Sequence, residues 1–161
     1  LTQRTSPFQL GTDTGVSSLV LGAFFSAWVK TDGVLRAWGD NGSGQLGNGT
    51  FTSSLVPVAV TSGFTSLAAG PGAAHLLGLK PDRTLWAWGA NGSGQLGLGT
   101  VTHQPSPAQV ATTFNFKAAA RGASHSVAIR DDGSLWAWGA NADGQLGLGT
   151  ASRLFVPVPG P

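Results

Sequence analysis

The residues Leu135-Trp136-Ala137-Trp138-Gly139-Ala140-Asn141-Ala142-Asp143-Gly144-Gln145-Leu146-Gly147-Leu148-Gly149-Thr150 decide the fold, because the same pattern stands at Leu85 to Thr100 and again at Leu35 to Thr50. The register is strict: Pro7, Pro57, Pro107 and Pro157 lie fifty apart, as do Gly22, Gly72 and Gly122, and Asp32, Asp82 and Asp132. A period of this length marks a stack of repeats in which each unit buries its apolar surface against the next.

The third unit is the clearest. Phe116 to Ala120 has strand length and leads to Gly122, after which His125 to Arg130 alternates with period two and ends at Asp131-Asp132-Gly133. An Asp-Gly pair between two alternating runs predicts a hairpin with a primed turn, since glycine adopts positive φ cheaply. Ser134 to Trp138 is then the partner strand, with Trp136 and Trp138 on one face because side chains alternate across a strand. Repetition of that aromatic pair argues for core packing. Gly139, Gly144, Gly147 and Gly149 exclude a helix from 139 to 150 and indicate an ordered loop anchored by Leu146 and Leu148. Phe155 to Val158 forms a fourth extended segment, and its proline indicates an edge or strand-start position. Four short strands per fifty residues make a four-stranded antiparallel propeller blade, so the fold class is all-β. The array divides into the tail of a preceding repeat at 1–10 and repeats at 11–60, 61–110 and 111–161.

Composition bounds the function. The 161 residues contain no Cys, no Met and no Glu, and charged residues are 10% of the chain. No disulfide framework or thiolate chemistry is available. The pI of about 9.7 overstates the basicity, because the net charge is only +2 and the nine Lys and Arg are scattered. Nucleic-acid binding needs a concentrated basic stripe, which is missing. No apolar run approaches the roughly 20 residues that span a bilayer. Low charge with abundant Gly, Ser, Thr, Asn and Gln resembles secreted bacterial repeat proteins, which sets the expectation of an extracellular or cell-surface location.

The pattern Gly-x-x-His-Ser-x-Ala-Ile-x-x-Asp-Gly-x-Leu-x-x-Trp-Gly-x-Asn-x-x-Gly-Gln-Leu-Gly-x-Gly, read from Gly122 to Gly149, resembles the repeat of the regulator of chromosome condensation family. The resemblance implies a seven-bladed propeller whose blades are often assembled from strands of adjacent repeats. Three repeats cannot close such a ring, so the chain is expected to be part of a longer propeller, to associate with its own copies, or to sit in a larger assembly. Departures from the pattern include Phe25 at the position of His75 and His125, Leu76 at that of Ser126, and Arg83 at that of Gly33 and Gly133.

Apparent chemical motifs lose to structural readings. Gly42-Ser43-Gly44-Gln45-Leu46-Gly47 fits a dinucleotide fingerprint in spacing only, because no helix can follow it to bind a pyrophosphate. His125, Ser126 and Asp131 or Asp132 could suggest a hydrolase, but Phe25 and Leu76 break that set in other copies. Imidazole and hydroxyl are therefore expected to satisfy buried backbone groups within each blade. His75, His103 and His125 do not make a metal set, and Asp40 to Ser43 and Asn141 to Gly144 lack the spaced carboxylates of a calcium loop. The reading is of a protein without catalysis, cofactor or metal.

The segments after each Gly-x-Gly-Thr vary freely, and function on a repeat scaffold usually lies in such loops. They nominate Phe51, Thr52 and Ser53, then Val101, Thr102 and His103, then Ala151, Ser152 and Arg153 as a partner-binding surface. The expected function is a binding or structural scaffold that engages a protein partner or other copies of itself. Three alternatives follow from the resemblance or from the open edges: guanine-nucleotide exchange on a small GTPase, secreted inhibition of an enzyme, and self-assembly into a ring or fibre.

Overall fold

The computed structural model describes residues 3–68, 70, 72–111, 113–149 and 153–160. Among them are twelve strands in three antiparallel sheets and no helix. The first blade consists of β1 (Val16–Leu21), β2 (Phe25–Lys30), β3 (Val34–Gly39) and β4 (Ser54–Ser62). The second consists of β5 (Ser66–Ala68), β6 (His75–Leu79), β7 (Leu85–Gly89) and β8 (Gln104–Val110). The third consists of β9 (Phe116–Arg121), β10 (His125–Arg130), β11 (Leu135–Gly139) and β12 (Leu154–Pro159). Strands follow chain order across every sheet. Pro57, Pro107 and Pro157 therefore lie on outer edge strands, where a missing N–H breaks no ladder.

The hairpin between the second and third strands differs from the primed turn expected of Asp-Gly. Gly33 N–H donates to Lys30 O at 2.9 Å, and its counterparts Arg83 and Gly133 repeat the bond. Only the last residue of the turn has positive φ, at 82° for Gly33, 65° for Arg83 and 89° for Gly133. A primed turn needs positive φ at the first central residue or at both, and neither central residue has it in any of the three turns. The aspartate instead stays in an ordinary conformation and accepts from the backbone two residues on, as Asp132 Oδ1 does from Ser134 N at 2.9 Å. The Ser134 and Thr84 side chains also donate to these carboxylates and hold Asp132 and Asp82 below the usual carboxylate range.

The core lies between blades. At the first junction Ala27, Val29, Leu35, Ala37 and Leu46 of blade one meet Phe64, Leu76 and Trp88 of blade two. At the second, Leu77, Leu85, Ala87 and Leu96 of blade two meet Phe116, Ala128 and Trp138 of blade three. Period-two alternation explains the sorting: along β7, Leu85 and Ala87 face the following blade while Trp88 faces the preceding one. A blade covered on both sides thus needs large residues on both faces, and each buried leucine contributes about 1.5–3 kcal/mol.

Trp88 and Trp138 are fully buried, as the repeat predicted for core residues. Their indole N–H groups donate to Gln45 O at 3.2 Å and Gln95 O at 2.9 Å in the preceding repeat. Gly47 and Gly97 make room for them, because a Cβ there would stand 2.6 and 2.7 Å from the indole nitrogens. Trp86 and Trp136 are half-buried and carry Lys80 and Arg130 over their rings.

Candidate functional site

Each blade ends in two loops at the same end. Asp40 N–H donates to Phe24 O, and Ala90 and Ala140 repeat the bond to Ala74 and Ser124. The β1–β2 turn thereby holds the start of the long β3–β4 loop. That loop is built around a buried asparagine. Asn91 Nδ2 donates to Thr100 O at 2.9 Å and Thr102 O at 3.0 Å, while its Oδ1 accepts from Leu96 N at 3.0 Å. Asn41 makes the same bonds to Thr50, Thr52 and Leu46, and Asn141 Oδ1 accepts from Leu146 N. Loops without regular secondary structure are thus fixed by side-chain amides that replace ladder hydrogen bonds.

The nominated residues emerge from these frames. Phe51, Thr52, Ser53, Val101, Thr102, His103 and Arg153 are exposed; Ala151 and Ser152 lie outside the described residues. Besides the carbonyls of Thr52 and Thr102, two side chains among them also have internal work. Ser53 Oγ accepts from Asn41 N at 3.1 Å, and in the next repeat His103 Nδ1 accepts from Asn91 N at 2.9 Å. The His103 proton is therefore on Nε2, the ring edge left for a partner. Phe24, 81% exposed in the adjoining turn, was not nominated. Its signal was a phenylalanine where the other repeats have Ala74 and Ser124. With Phe51 and Val101, it gives this end three large apolar side chains in water.

His75 and Ser126 are not at this surface. They were expected to serve their own blades; instead they join two blades, with His75 Nε2 3.1 Å from Ser126 Oγ. Ser126 Oγ donates to Gln95 O at 2.8 Å, so it accepts from a protonated Nε2. Phe25 and Leu76 take the corresponding places at the first junction, within its apolar cluster. Burial, then the nearby Arg121 and His125, hold the His75 pKa well below the histidine norm. Arg121 is itself buried. Its Nε donates to Ala68 O at 3.2 Å, its other two nitrogens have no hydrogen-bond partner among the described residues, and burial pushes its pKa down to about 10. His75 and Ser126 are fully buried. Among the described residues no group of three or more metal-ligating side chains comes together, and no helix is long and apolar enough to cross a membrane.

The regulator of chromosome condensation (RCC1) repeat model matches residues 32–76, 82–129 and 132–160, and a second model of that repeat matches 117–145. Each of the first two matches takes the outer strands of one blade and inner strands of the next, so blades combine adjacent family repeats. No curated protein matches significantly. Among solved structures, human WBSCR16 is similar over 98% of this chain at 22% identity and a TM-score of 0.78. Saccharomyces cerevisiae Prp20p, studied for its binding to Gsp1p and histones, is similar over 90% at 24% identity and a TM-score of 0.80. Yeast RCC1 (Prp20) bound to Kap60 is similar over 90% at 24% identity and a TM-score of 0.79. The chain spans 39%, 38% and 37% of those three structures' lengths, and at such identities the likeness concerns the fold.

Proposed function

This chain belongs to the regulator of chromosome condensation repeat family, and from that premise we propose that it is a non-catalytic protein-binding module that engages a partner through the loop end of its blades. The observation that supports this reading is the exposure of Phe24, Phe51 and Val101, at 81%, 52% and 50%, the first on a turn bonded through its carbonyl to Asp40 N–H and the other two on loops whose backbones are held by buried asparagines. Apolar anchors on a rigid frame lose little conformational freedom on binding, which is what an interface anchor requires. Thr52, Thr102, Ser53, His103 and Arg153 supply a polar rim. On composition we place the module outside the cell or at its surface.

The test is cross-linking capture from extracts and surface fractions of the source cells, with the chain compared against a Phe24→Ser, Phe51→Ser, Val101→Ser variant. These side chains are exposed, so the variant keeps its fold. A partner captured by the chain and lost with the variant supports the reading; equal capture overturns it. A second reading, nucleotide exchange on a small GTPase, draws support from the likeness to Prp20p, whose reported binding includes Gsp1p. Acceleration of labelled-nucleotide release from such a GTPase would establish it.

A further inference from the structure

Lys30, Lys80 and Arg130 occupy one position of the repeat, where the second strand of each blade enters its hairpin. Two of the three have an acid beside them. Lys30 Nζ lies 3.8 Å from Asp13 and 3.9 Å from Asp32, and Arg130 Nη1 lies 3.3 Å from Asp132. Lys80 has no ion pair among the described residues, and the Asp82 carboxylate accepts from Thr84 N and Oγ1 instead. The Lys80 ammonium rests on aromatic rings, 3.9 Å from the centre of Trp86 and 5.4 Å from that of Phe64. The rings hold the cation in place and leave its charge without a counter-ion.

A second departure from the repeat meets it. Asn48 stands where the later repeats have Leu98 and Leu148. Leu98 packs against the core of the second junction. Asn48 turns its amide oxygen into its own loop, accepting from Asn41 Nδ2 at 3.2 Å and from Thr50 N and Oγ1 at 3.2 and 2.9 Å. The outer side of the first junction therefore lacks that apolar filler. A cleft of about 380 Å³ lies there between β4 and β8, with Asn48, Thr61, Lys80, Trp86 and Ser106 among its walls and no acidic residue. Blades one and two supply all of these walls, so the cleft is complete within the chain. Asn48 Nδ2 and the Thr61 and Ser106 hydroxyls have no hydrogen-bond partner among the described residues, and all three can donate.

We propose that this cleft binds a sugar acid: its carboxylate meets the Lys80 ammonium, and its ring hydroxyls accept from Asn48, Thr61 and Ser106. The donors come from both blades and from the loop above them, a spread that a bare oxyanion cannot bridge. The volume falls in the range of small-molecule sites, roughly 300–1,000 Å³. An ammonium already seated on two rings loses little freedom when it pairs, and its charge-assisted hydrogen bond is about twice as strong as a neutral one. None of the residues nominated at the loop end lines the cleft, so this site does not depend on the partner binding proposed above.

The probe is sodium glucuronate, titrated to about 50 mM at constant ionic strength while the Trp86 and Trp136 indole N–H signals are followed by NMR. These groups have matched settings, donating to Thr84 Oγ1 at 2.9 Å and to Ser134 Oγ at 2.8 Å, so Trp136 is an internal control. The expected result is a saturable shift at Trp86 and none at Trp136, with sodium acetate and glucose each binding at least about fivefold more weakly. Lys80→Met keeps an unbranched chain on Trp86 and is expected to abolish the shift. Asn48→Leu installs the residue with which the second repeat already folds, and is expected to abolish it by filling the cleft. Amide dispersion in the same spectra checks that each variant is folded. A flat titration at Trp86 overturns the proposal. So does an equal shift at Trp136, acetate that binds as tightly as glucuronate, or saturation that either variant leaves unchanged.

Discussion

The His75 imidazole and the Ser126 hydroxyl, 3.1 Å apart and both fully buried, form a polar pair that bridges the second and third blades. The matching places at the first junction hold Phe25 and Leu76. One position pair thus exists in a polar and an apolar version within one chain. Exchange of one version for the other should succeed only when both members change. His75→Phe and Ser126→Leu singly are each expected to destabilise by about 1–3 kcal/mol, by leaving a buried polar group unsatisfied. The double variant should recover at least about 1 kcal/mol of the summed loss in a double-mutant cycle from denaturant unfolding. Strict additivity would refute the coupling.

The same pair sets a pH dependence. Its folded-state pKa lies below the histidine norm, so the unfolded chain binds the proton more readily. The stability His75 contributes is therefore present above about pH 6.5, the unfolded value, and lost as pH falls below it. Denaturant midpoints at pH 7.5 and pH 5.0 should differ in the wild type, and the difference should shrink in the double variant. An equal pH dependence in both would assign the effect to other groups.

Arg121 buries a guanidinium whose hydrogen bonding among the described residues stops at Ala68 O. Its counterpart in the first repeat is Leu21. Removal of an uncompensated buried charge usually stabilises a fold. Arg121→Leu is expected to raise unfolding free energy by about 1–3 kcal/mol, measured in urea. A loss of stability would show that the guanidinium has a partner in solution.

Asn91→Ala removes one acceptor and two donor contacts, leaving Thr100 O, Thr102 O and Leu96 N without their partner. A loss of about 2–4 kcal/mol is expected from these unsatisfied groups. Asn91→Asp should be worse, since a carboxylate would face two carbonyl oxygens. If Asn91→Asp is as stable as wild type, the amide is not the hub of the loop.

Gly97 and Gly147 have nearly the same φ, 69° and 70°, but different surroundings. Alanine at Gly147 should cost only the left-handed backbone strain, about 1–2 kcal/mol. At Gly97 it must also displace the Trp138 indole, so Gly97→Ala should be the more destabilising by at least about 1 kcal/mol. Equal melting shifts would show that the tryptophan can move aside.

The sequence alone determined the period, the four strands per unit, the edge prolines and the irregular glycine loop. Each of these follows from φ preferences and from side-chain alternation over a few residues, which operate along the chain. The turn at Asp-Gly was placed correctly but given the wrong geometry, because glycine's positive φ fits both a primed turn and the observed single left-handed residue. Exposure of Phe51, Val101 and His103 followed from their variability, but the bond from Asn91 N to His103 Nδ1 did not. What joins one unit to the next was decided by tertiary structure. His75 meets Ser126 across 51 positions and Trp138 meets Gln95 O across 43, distances at which no local pattern specifies a partner. The exposed sides of blades one and three were equally invisible in sequence, because Leu35, Leu85 and Leu135 are the same residue in the same motif. Only the packing of a following blade distinguishes the two that are buried from the one in water.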